Sequence, residues 1–151
     1  MKKFSGRRIS LASILLMLLA AALAHSGDEQ KEFNPDLNFA QVTYVRATEV
    51  SAGVWRFDVT VRHNDQGWDH YADAWQVIDP RGGEVLGERI LAHPHDNEQP
   101  FTRSQSGIAI PAGLNRVLVR AKCSVHGFGG REILVDLTHG QAEDYQVQIR
   151  R

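Results

Sequence analysis

Seven histidines and one cysteine are the residues in this 151-residue chain best suited to chemistry, and they are unevenly spread. Five of the histidines fall in three short stretches. His63 and His70 bracket the first, His93 and His95 flank Pro94 in the second, and His126 opens the third. A neutral imidazole offers a lone pair to a divalent transition ion such as Cu(II) or Zn(II), and several converging on one spot make a site. His93 and His95 are two apart, so in an extended segment they point the same way and can share one ion. Pro94 stiffens that segment and keeps it out of a central ladder. Asp65, Asp69 and Glu98 are nearby carboxylates able to ligate the ion or orient a ring. Each histidine taken singly is better explained by a hydrogen bond to loop backbone, which lacks ladder partners. The metal reading therefore rests on convergence.

Convergence depends on the elements between the histidines. Trp55, Phe57, Val59 and Val61 alternate with Arg56, Asp58, Thr60 and Arg62, the period of a half-buried β-strand. Val117, Val119, Ala121 and Cys123 alternate in the same way with polar residues, and Ile133, Val135 and Leu137 resume the pattern after His126-Gly127-Phe128-Gly129-Gly130. Three glycines in four residues let the chain reverse there. Further strands are expected over 42–50, 71–79, 84–91 and 101–110, the last weakest at Gln105-Ser106-Gly107, with 145–149 as a final candidate. No stretch has sustained helical periodicity. Seven or eight short strands at spacings of roughly ten residues predict an all-β fold, a single antiparallel β-sandwich. If successive strands are antiparallel, the connections 63–70, 92–100 and 126–130 lie at one pole and the turns 80–83 and 111–114 at the other. All five loop histidines then share a pole, and the two opposite turns carry none.

The start of the chain reads as a targeting segment. Lys2, Lys3, Arg7 and Arg8 precede an apolar run, Ile9 to Ala24, that ends in the small-x-small pattern Ala22-Leu23-Ala24. The run is short of the roughly 20 residues that span a bilayer, so a cleaved signal peptide over 1–24 is expected, with no membrane span afterwards. Cleavage near Ala24/His25 leaves 127 residues, one domain's worth, with 13 basic against 18 acidic residues and a net charge of −5. That balance disfavours nucleic acid as a partner. The expected location is periplasmic or secreted. Residues 25–41 are polar and read as a flexible lead-in, and 42–151 as the sandwich domain. Cys123 is the single cysteine, so no internal disulfide forms.

Three resemblances bear on this reading. Ile110-Pro111-Ala112-Gly113, then Val117-Leu118-Val119-Arg120-Ala121 and Gly127 to Gly130, resemble the late strands of immunoglobulin-like and fibronectin type III modules. The resemblance implies such a sandwich, although the corner tyrosine and a cysteine pair are missing. Gly67-Trp68-Asp69-His70-Tyr71-Ala72-Asp73 and His93-Pro94-His95 resemble stretches of exported bacterial proteins, a resemblance that implies export and no activity. Cleavage before His25 would leave a terminal amine and imidazole able to hold copper together. In this the chain is similar to exported copper-binding proteins of immunoglobulin-like fold, but their Asp-x-His motif has no match, since Asp69-His70 lacks the spacer.

Cys123-Ser124-Val125-His126 is similar to the Cys-x-x-His loop of blue-copper proteins. Alternation, however, turns Cys123 inward with Val119 and Ala121, and a chain beginning at His25 has no methionine for an axial position. Cys123 is accordingly expected to be a buried thiol rather than a ligand. Trp68, Tyr71 and Phe128 are expected either to plug the open end of the sandwich or to contact a partner. No G-x-S-x-G, H-E-x-x-H or phosphate-loop motif is present, which argues against an enzyme. The expected function is a non-catalytic exported module binding Cu or Zn through His63, His70, His93, His95, His126 and His25. The alternative is a metal-free module using the same loops for a protein or glycan partner.

Overall fold

The computed structural model describes residues 31–151; the expected signal peptide and His25 lie outside the described residues. Nine strands form in chain order: β1 (Gln41–Ser51), β2 (Val54–Arg62), β3 (Ala72–Ile78), β4 (Val85–Ile90), β5 (Phe101–Ala109), β6 (Arg116–Cys123), β7 (Gly127–Phe128), β8 (Ile133–Asp136) and β9 (Tyr145–Gln148). They make two sheets. One has the order β5-β2-β1-β9, and the other β4-β3-β6-β7 with β8 also paired to β6. The layers are mostly antiparallel, as the alternation requires. The exception is β9, which pairs parallel to β1 from Val45↔Tyr145 to Thr48↔Gln148. The uncertain last strand thus forms, but the fully antiparallel expectation fails at that edge.

The period-2 pattern decides what is buried. Phe57, Val59 and Val61 of β2 and Val117, Val119 and Ala121 of β6 face the interior, beside Trp75 and Val77 of β3. Each large side chain such as Phe57 or Trp75 contributes about 2–3 kcal/mol by leaving water. Along β2 and β5 the register shifts between Trp55 and Phe57, opposite the weak Gln105-Ser106-Gly107 segment. Gly107 takes a positive φ of 77° there, which accommodates the bulge.

The lead-in expected to be loose as far as Gln41 is fixed before that point. Ala40 and Gln41 are fully buried, and the Gln41 side chain accepts from the Arg131 amide at 2.7 Å. This segment crosses the glycine run. A Cβ on Gly129 would lie 2.3 Å from the Phe39 ring, and one on Gly130 only 2.1 Å from the Ala40 carbonyl. Gly127, with φ +67°, does serve the reversal. Gly130 serves close approach instead, and so lets residues 38–40 lie over the pole where the histidines gather.

Candidate metal centre

The connections at that pole do meet. Gly67 donates its amide to Asp96 at 2.8 Å, and His95 donates its amide to Asp65 at 2.6 Å, which ties the β2–β3 loop to the β4–β5 loop. The Ser124 amide donates to the Tyr71 carbonyl at 2.9 Å, tying the β6–β7 turn to the start of β3. Within this frame the five histidines separate into two groups.

In the first group, His63 follows the last residue of β2, His70 precedes β3, Cys123 ends β6 and His126 closes the turn after it. His63 Nε2 and His70 Nε2 are 3.2 Å apart, and His70 Nε2 is 3.2 Å from His126 Nδ1. Cys123 Sγ is 3.6 Å from His126 Nδ1. Donor atoms of His63, His70 and Cys123 all lie within 4.8 Å of one another. A tetrahedral ion with bonds of about 2.0–2.1 Å to nitrogen and about 2.3 Å to sulfur would space neighbouring nitrogens about 3.3 Å apart and nitrogen from sulfur about 3.6 Å. The consecutive spacings along His63, His70, His126 and Cys123 are of this size.

Proton bookkeeping points the same way. Asp65 Oδ1 is 2.6 Å from His63 Nδ1, and the Asp65 side chain is fully inaccessible. A carboxylate only accepts, so Nδ1 carries the proton and the lone pair of neutral His63 is on Nε2. That lone pair faces His70 Nε2 and the Asn38 carbonyl oxygen, the latter 3.2 Å away and itself an acceptor. Asn38 O also lies 3.1 Å from His126 Nδ1 and 3.4 Å from Cys123 Sγ. The Cys123 thiol donates to that oxygen, so a cation here would have to displace the thiol proton. Burial pushes the His70 pKa down, helped by the neighbouring His63 and His126 rings, so His70 is held neutral and ligand-competent. The His126 amide donates to Cys123 Sγ at 3.2 Å.

Asp65 orients this group. Burial alone would raise its pKa, but hydrogen bonds from the His63 ring and from the His95 and Ala72 amides outweigh that and hold it below the ordinary range. Such a carboxylate–imidazole pair is the usual support of a metal ligand.

The second group is His93 and His95, with ring centroids 4.5 Å apart. They are not aimed at the first group. His95 stacks on Phe101 at 3.8 Å and 8°, and His93 Nδ1 lies 2.9 Å from the Pro94 carbonyl. Among the described residues neither ring nitrogen of His95 has a hydrogen-bond partner. Both rings line a small cavity of about 70 Å³ together with Arg89 and Arg103, cations that work against a second metal ion. Burial lowers the His95 pKa, and the Arg103 charge adds to the effect.

The remaining candidates sit elsewhere at the pole. Asp69 is exposed. Glu98 is exposed and engaged with Arg103 at 2.8 Å, so it orients no imidazole. Trp68 is 68% exposed and meets Tyr71 edge-on, while Phe128 lies beneath the Arg120 guanidinium. Two members of the first group are ones the sequence reading left out. Cys123 is buried as expected, but it ends its strand at the pole and so faces core and histidines at once. Its signal was the Cys-x-x-His spacing. Asn38 contributes a backbone carbonyl and left no signal.

No protein-family model and no solved structure matches this chain. A protein of Halomicrobium mukohataei described as a putative lipoprotein is 38% identical over 123 residues, 82% of this chain and 60% of that protein. The chain thus spans about three-fifths of that relative's length. Among the described residues no helix is long and apolar enough to cross a membrane.

Proposed function

We propose that this protein is an exported, non-catalytic β-sandwich that binds a divalent transition ion, Cu or Zn, through His63, His70 and Cys123, with His126 beside them. The observation that carries this is the spacing of the donor atoms, 3.2, 3.2 and 3.6 Å along His63, His70, His126 and Cys123. Export is supported by the signal-like start and by the description of the Halomicrobium relative. The immunoglobulin-like type of the sandwich rests on the sequence run 109–137. His93 and His95 fall outside the ligand set in this reading.

Calorimetric titration of metal-stripped, reduced protein with Zn(II) tests it. One ion per chain is expected, weakened more than about 100-fold in His70→Ala, beyond what loss of an orienting partner alone costs. His93→Ala should leave affinity within about threefold. Absence of binding by the wild-type protein, or equal loss in both variants, would refute it. The exposed Trp68 and Tyr71 would then favour the same loops as a contact surface for a protein or glycan.

A further inference from the structure

We infer that the ion is copper, and that the site is a one-electron redox centre in which the Cys123 thiolate stays bound while the ion alternates between Cu(II) and Cu(I). This rests on the metal-binding reading above and adds the identity of the ion and what it does.

The donor set is the first reason. One sulfur and a set of imidazole nitrogens meet beneath a backbone carbonyl. An oxygen bound weakly at about 2.5 Å, perpendicular to bonds of about 2.05 Å to nitrogen and 2.3 Å to sulfur, would lie about 3.2 Å from the nitrogens and 3.4 Å from the sulfur. Asn38 O lies 3.2 Å from His63 Nε2 and 3.4 Å from Cys123 Sγ. A thiolate with imidazoles and one long axial oxygen suits copper. Structural zinc sites are closed by four strong ligands, and catalytic ones keep a position open to water. At equal access such a nitrogen–sulfur set also holds Cu(II) more tightly than Zn(II).

Rigidity and burial are the second reason. His63 is 1% exposed, Cys123 2% and His70 8%. His63 is pinned by Asp65, and Cys123 is pinned by the His126 amide and its place on β6. Thiolate favours Cu(I), imidazole serves both states, and a framework that cannot rearrange holds the two in one geometry. Reduction adds one electron to Cu(II) from a one-electron donor and gives Cu(I). No metal–ligand bond breaks and no proton moves, since the thiolate remains a ligand. His126 is the one member of the group with a solvent-exposed ring, so electrons enter and leave along it.

The test uses the full chain, purified, stripped of metal and kept reduced. One equivalent of Cu(II) should produce an intense visible band from thiolate-to-copper charge transfer. Ascorbate should bleach it at one electron per ion, ferricyanide should restore it over repeated cycles, and Cys123 should be recovered as a free thiol once copper is removed. Cys123→Ser should lack the band; a band that survives in this variant overturns the inference. A wild-type band that decays without reductant, with Cys123 recovered oxidised, also overturns it. Zn(II) binding with no band from Cu(II) sinks the copper assignment and leaves the metal site standing. Failure to bind either ion takes the underlying reading down as well.

Discussion

Two histidine pairs share one pole of this sandwich, and both touch Asp65. His63 receives the carboxylate on its ring, while His95 meets it through the backbone amide. That difference separates their chemistry. A ring held at Nδ1 turns a fixed lone pair outward from Nε2 toward His70, and a donor cluster results. A residue held by its amide leaves the ring to packing, and His95 lies flat on Phe101 with neither nitrogen hydrogen-bonded and Nδ1 3.9 Å from Asp65 Oδ2. Histidines clustered in neighbouring loops are therefore not yet a site. What makes one is the partner of the nitrogen that does not bind the ion.

Among changes that leave every ligand in place, the largest effect should come from the shared carboxylate. Asp65→Asn keeps the shape but removes the charge that fixes the His63 tautomer, so metal affinity should fall about 10- to 100-fold. His95→Gln in the other pair should change it by less than about threefold. Parallel calorimetric titrations measure both. Equal losses would mean that the two pairs are not distinguished by how Asp65 holds them.

Gly130 tests the other support of the first pair. An alanine there must displace the Ala40 carbonyl 2.1 Å from its Cβ, and with it the neighbouring Asn38. Overpacking of this kind costs about 1–3 kcal/mol. Gly130→Ala should lower the unfolding free energy by that amount and weaken metal binding as well. Gly82→Ala, where a Cβ meets nothing within 4 Å, should do neither. Denaturant melts of the three proteins decide it, and an unperturbed Gly130→Ala would show that residues 38–40 are not held by the glycine run.

How much of this was legible follows from the range of each interaction. Alternation along 55–62 and 117–123 is local, and it yielded the strands, the buried face and the inward thiol. Strand parity then brought His63, His70, His93, His95 and His126 to one end. It could not say which way a ring points, because that is decided by partners dozens of residues away, as with the Asp65 carboxylate and the His95 amide. The sequence shows Cys123 only as a buried thiol, because alternation gives the face of a strand and not its distance from the histidines; at the rim of the sandwich a buried side chain also lies beside them. The Asn38 carbonyl was invisible because a backbone atom has no residue type to read. The parallel β9 was missed for a related reason, since a short alternating run carries no sign of its partner's direction.

The smallest effect is a pH dependence, and a bound ion makes it tell the two pairs apart. His70 and His95 both have folded-state pKa values pushed below the ordinary 6.5 by burial. As pH falls through about 6.5 the unfolded chain takes up these protons first and the folded chain does not, so stability falls with falling pH, by at most about 1.4 kcal/mol per pH unit for each histidine. Carboxylates with lowered values, Asp58 and Asp65 among them, act later, losing their contribution only as pH drops below about 4. In metal-free protein, His95→Gln should remove one histidine's share of the slope between pH 6.5 and 5. A saturating ion adds a further loss in the same direction, because protons compete with it for the imidazoles. That added slope should survive in His95→Gln and vanish in His70→Ala. Urea midpoints measured every half pH unit, with and without Zn(II), resolve these cases, and a metal-dependent slope lost with His95 instead would move the ion to the other pair.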